Sequence, residues 1–92
     1  MNLDQAEAMG LEALGYIVAD ATLRSLFLDL TGMSPEDLRA RISDPALLAA
    51  AMDFLLGREP SLLQFCAAAE IDPQLPARAH SLLLGPQAPD WS

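Results

Sequence analysis

The chain has 92 residues, enough for one domain and one core, since a chain of this size buries roughly 64% of the surface it exposes when unfolded. Thirteen carboxylates against five arginines leave a formal net charge of −8, a balance that nucleic acid and anionic membrane surfaces would repel. The single cysteine, Cys66, excludes an intrachain disulfide and a cysteine-rich zinc site, and no apolar run approaches the ~18 residues of a bilayer-spanning helix.

The apolar residues Ala6, Met9, Gly10, Ala13, Leu14 and Ile17 recur at helical spacing, with Asp4, Glu12 and Gly15 on the other side, so a first amphipathic helix is expected over Asp4 to Ala19. Ala6, Gly10 and Ala13 are small and face inward, which lets a neighbouring backbone approach closely. Asp20 caps a second helix through Leu30, with Leu23, Leu26, Phe27 and Leu30 as its core stripe and Gly32 as its left-handed terminator. Ser34-Pro35-Glu36-Asp37 opens a short third helix through a serine cap, a proline in the first helical position and acids in the first turn. It breaks near Ser43 to Asp44, because a residue before proline avoids helical angles.

The central segment, Pro45 to Leu56, carries one charge, Asp53, and ends at Gly57. Leu47, Leu48, Ala51, Met52, Phe54, Leu55 and Leu56 cover most of its circumference, leaving the Ala46, Ala49, Asp53 side to water. A fifth helix from Pro60 to about Ala69 turns Leu62, Phe65, Cys66 and Ala69 inward. A sixth runs from Asp72-Pro73 to Leu84, burying Leu75, Ala79, Leu82 and Leu83, with an irregular start where Pro76 falls in its first turn. The expected fold is all-α, a compact bundle of five or six short helices around the 45–56 helix. Residues 1–85 form the domain and residues 86–92 a proline-containing tail that holds Trp91. No strand pattern interrupts this reading.

No catalytic constellation emerges, and neither a cofactor nor a metal site is expected. Cys66 sits on a buried stripe where a thiol reacts poorly, and His80, the lone histidine, falls opposite Leu75 and Leu82 as a solvated side chain. The glutamate-plus-histidine spacing of di-iron bundles is absent, and the five glycines are isolated, so no phosphate loop exists. Arg39 and Arg41 diverge by about 200 degrees on a helix and cannot line one groove-facing surface. What the core leaves over is Leu11, Val18, Leu28 and Leu84, which together with Trp91 are the candidate contacts for another protein or a second copy of the chain, although Trp91 has a second reading, favoured here, in which it pins the tail to its own bundle. An alternative is an acidic inhibitor that masks a basic partner surface through Glu7, Glu12, Asp29 and Asp53. The start Met1-Asn2-Leu3-Asp4 lacks the basic and apolar stretches of a secretion signal, and with one thiol this points to a cytoplasmic setting.

The run from Phe27 to Pro73, with its LTG-x-x-P-x-DLR and DP-x-LLAA-x-x-DFLL segments, resembles a family of short alphaproteobacterial proteins classified as a domain of unknown function. The likeness extends over nearly the whole chain and implies a compact bacterial helical protein. It brings no activity, ligand or catalytic residue, because its motifs are caps and core positions.

Overall fold

The computed structural model describes residues 1–85, and Trp91 therefore lies outside the described residues. Six helices follow in order: α1 (Leu3–Ala19), α2 (Ala21–Thr31), α3 (Pro35–Ala40), α4 (Pro45–Leu56), α5 (Glu59–Ala69) and α6 (Leu75–Leu84). Among the described residues there is no strand. The local chemistry explains where they begin. Asp20 accepts from Thr22 N and Leu23 N, Ser34 and Asp37 form a reciprocal capping box, and Asp44 accepts from Ala46 N. Gly32 closes α2 at φ 70°, as its position implied.

The layers are built on α1, α4 and α6, which pack pairwise, with α2 laid on α1 and α5 on α4. Leu47, Leu48, Ala51, Met52, Phe54 and Leu55 of α4 meet Ala6, Met9, Ala13, Leu14 and Ile17 of α1 and Ala79 and Leu83 of α6 in one buried cluster. Phe27 reaches it from α2 and stacks edge-on against Phe54 at 5.3 Å, a geometry suited to aromatic quadrupoles. Tyr16 tilts against Phe65 and donates its hydroxyl proton to Gln64 Oε1, tying α5 to α1. No described polar or charged residue is buried, so the interior rests on apolar contact alone.

Gly10 sets the distance between α1 and α4. A Cβ built there would stand 2.8 Å from Leu48 Cβ and 3.3 Å from a Leu83 methyl, so only glycine permits this approach. At the end of α5 the chain turns through Glu70, a non-glycine residue at φ 57°. Ile71 N donates to Cys66 O across that turn at 2.8 Å, the long bond of a Schellman ending.

Several expected placements are corrected. Leu30 belongs to the apolar stripe of α2 but is 69% exposed, because the last turn of α2 runs past the edge of the core. Leu26, Leu56, Ala69, Leu75 and Leu82 are half-buried at the core's margin. Ala49, assigned to water, is only 4% exposed, because α6 crosses that flank of α4. Residues 72–74 form a turn before α6, with Asp72 accepting from Gln74 N and Leu75 N. Starting at Leu75 puts Pro76 among the first two helical positions, where its missing N–H leaves no bond unmade.

Candidate functional site

On α1 the exposed residues Asp4, Ala8 and Leu11 and the half-buried Glu7 are spaced i, i+4, i+7 and i+3 and therefore line one stripe. That stripe is held from its first turn. Asn2 Oδ1 accepts from Gln5 N at 2.8 Å while Gln5 Oε1 accepts from Asn2 N at 2.9 Å, a capping box that satisfies two of the backbone donors at the start of the helix.

Facing the stripe is the 41–44 turn between α3 and α4. Asp44 N donates to Arg41 O, and the Arg41 guanidinium donates through Nε and Nη2 to Asp44 Oδ2 at 3.3 and 3.1 Å. The Ala46 N–H, and then the Arg41 guanidinium, hold the Asp44 carboxyl below its ordinary range. Cross-braced in this way, the turn presents Ile42 and Ser43 outward. Between it and α1 lies a cleft of about 260 Å³ lined by Asp4, Glu7, Ala8, Leu11, Ile42, Ser43 and Leu48. Leu48 is buried and makes the floor, Leu11 and Ile42 are 47% and 43% exposed, and Asp4 and Glu7 stand at one end. The contact at Gly10 brings Leu48 this close to α1.

The cleft is electrostatically one-sided. Among the described residues the ion-pair contacts are Arg41–Asp44 at 3.1 Å and His80–Asp53 at 3.8 Å, so neither Asp4 nor Glu7 has a cation within 4 Å. Arg41 is committed to Asp44, Arg24 donates to Val18 O, and Arg58 lies over the Phe54 ring at 4.8 Å.

A second hollow of about 400 Å³ lies on the opposite side of α4, between that helix and α6, lined by Ala46, Ala49, Ala50, Asp53, His80 and Leu84. His80 is half-buried here beside Asp53, which corrects the expectation of a freely solvated histidine, because α6 leans this flank onto α4. Ser43 lines the first cleft and His80 the second hollow, so the two do not share a site. Cys66 is buried, and burial, followed by the negative charge of Asp72, pushes its thiol pKa up. Among the described residues no three His, Cys, Asp or Glu side chains converge as a metal site, and no helix is long and apolar enough to cross a membrane.

The residues singled out from sequence fall apart into groups. Leu11 and Glu7 meet in the first cleft, while Leu84 and Asp53 line the second hollow. Val18 and Leu28 are half-buried against the core, because six packed helices cover more than one face of each neighbour, and neither lines the first cleft. Glu12 borders a shallow depression with Tyr16, Phe65, Ala68 and Ala69, and Asp29 stands exposed on α2. Ile42 was missed. Its signal was an isoleucine in the otherwise polar break Arg41 to Asp44, where local structure gives an aliphatic side chain nothing to cover.

These features define a small all-α protein with an apolar cleft rimmed by carboxylates. The chain belongs to the family described as "Protein of unknown function (DUF3572)", whose profile matches residues 3–86. No curated protein and no solved structure matches it.

Proposed function

We propose that this protein is a non-enzymatic, cytoplasmic interaction module that docks another protein in the cleft between α1 and the 41–44 turn. The observation that carries this is the pair Leu11 and Ile42. Two large aliphatic side chains, each more than two-fifths exposed, line one cleft together with the buried Leu48, and an exposed apolar patch bordered by polar residues is a surface that suits a partner. The braced Arg41–Asp44 turn supports it, since a preformed site loses little entropy on binding.

The test compares Leu11→Asp and Ile42→Asp with Leu63→Asp, which alters an equally exposed leucine on α5 away from the cleft (Leu63 is 47% exposed). Bait protein carrying each change is used to retain partners at fixed stoichiometry from the source cell. A partner held by the parent chain and by Leu63→Asp, but lost with both cleft variants, is the expected result. Equal retention by all three overturns the assignment of the cleft.

The alternative of an acidic protein masking a basic surface draws support from the same place. Glu7, one of its candidate residues, shares the cleft with Leu11, whereas Glu12, Asp29 and Asp53 face other surfaces. An apolar contact and an acidic contact thus coincide at one site rather than competing for two.

A further inference from the structure

We infer that the occupant of the α1 cleft is a basic amphipathic helix, with an aliphatic anchor and an arginine or lysine about one helical turn away; this rests on the docking role proposed above. Size speaks first. At about 260 Å³ the cleft is smaller than the roughly 300–1,000 Å³ of sites that enclose small molecules, so it suits protruding side chains rather than a whole cofactor.

The order of residues along α1 supplies the spacing. Asp4 and Glu7 occupy the N-terminal end of the stripe, and Ala8 and Leu11 the C-terminal end. The two centres are about four residues apart, or roughly 6 Å at 1.5 Å per residue, close to the 5.4 Å pitch of a helix. An occupant whose apolar group meets Ala8, Leu11, Ile42 and Leu48 therefore places a cation against the carboxylates if that cation lies three or four residues along the same helical face. Asp4 and Glu7 have no cation within 4 Å among the described residues, and the chain's −8 charge draws a basic segment inward over a longer range. The mode is a helix in a groove rather than an added strand, since the described residues offer no sheet edge for a strand to join.

Nuclear magnetic resonance can read this in the intact protein, because its three isoleucines occupy different settings: Ile42 in the cleft, Ile17 in the core and Ile71 at the end of α5. The probe is a capped, alanine-rich helical peptide bearing two leucines four residues apart and an arginine one turn from each. Two matched peptides replace either the leucines by alanine or the arginines by glutamine. The first peptide should shift the Ile42 methyl and leave Ile17 in place, and each matched peptide should bind about tenfold more weakly, the scale of two exposed ion pairs or a lost aliphatic contact. Asp4→Asn with Glu7→Gln should cause a similar loss, while Asp29→Asn should not.

If the arginine-free peptide shifts Ile42 at equal affinity, the basic-partner inference falls and the docking reading stands. If Ile42 stays fixed with every peptide, the inference falls too, and docking is then decided by the retention experiment alone. An Ile42 signal that moves with protein concentration assigns the cleft to a second copy. One that moves in free Trp91→Ala assigns it to the chain's own C-terminal segment. Either result overturns the inference.

Discussion

Gly10→Ala sets two opposite effects against each other at one atom. Alanine improves helix propensity by about 1 kcal/mol. The added methyl, however, stands 2.8 Å from Leu48 Cβ, and that neighbour is fixed to the backbone of α4 and cannot swing aside. The second contact, 3.3 Å from a Leu83 methyl, can yield by a few tenths of an ångström. Relief therefore requires α1 and α4 to separate, and overpacking of this kind costs about 1–3 kcal/mol. With two helices moved against their shared core, the cost belongs to the upper part of that range, giving a net loss of about 1–2 kcal/mol, or roughly 5–15 °C in Tm for a domain of this size. Gly15→Ala is the internal control. It lies in the same helix with nothing within 4 Å of the new methyl, so it should gain roughly 0.5–1 kcal/mol. Urea unfolding followed by circular dichroism measures both. If Gly10→Ala stabilises the protein as much as Gly15→Ala does, the close approach of α1 to α4 is refuted, and with it the depth of the cleft floor at Leu48.

Glu70→Gly should raise Tm, because φ 57° is strained for a residue with a Cβ; a gain of about 0.5–1 kcal/mol is expected, and an unchanged Tm would contradict the left-handed ending of α5. Cys66 should resist alkylation at pH 8 in the native state and react on unfolding. Because its folded pKa is raised, the unfolded thiol ionises first, so this group's contribution to stability holds at neutral pH and declines as the pH climbs past the unfolded value. Asp44 works in the opposite direction. Its folded pKa is lowered, so its contribution is present above the unfolded carboxylate range and disappears as acid titrates the folded group. Asp44→Asn should keep the helix cap and remove that part of the acid dependence, whereas Asp44→Ala should lower Tm at neutral pH as well, both read by thermal unfolding across pH.

Most of the fold was legible because its signals are local. Asp20, Ser34 and Asp44 cap the helices they precede, and the buried set of α1 follows its 3.6-residue period residue for residue, Gly10 included. What escaped depends on distance in space. Leu30 lies on the correct stripe, but periodicity does not say where a neighbouring helix ends. Ala49 and His80 changed status because α6 approaches from a flank that the pattern of α4 does not record. The start of α6 moved because Pro76, read as an irregularity, instead sets the first turn. At the cleft, the sequence marks Leu11 as a leftover apolar residue and Glu7 as a carboxylate for a basic partner, but their meeting with Ile42 depends on how a four-residue turn is folded against α1.

One cleft combines an apolar anchor site with an acidic rim in the docking mode proposed here, and the salt dependence of peptide binding separates the two contributions. Titrating the leucine–arginine peptide into the intact protein at increasing sodium chloride should weaken affinity several-fold as Asp4 and Glu7 are screened, then level off at a residual binding carried by Leu11, Ile42 and Leu48. Affinity that ignores salt would remove the acidic rim from recognition, and affinity that vanishes in salt would remove the apolar floor.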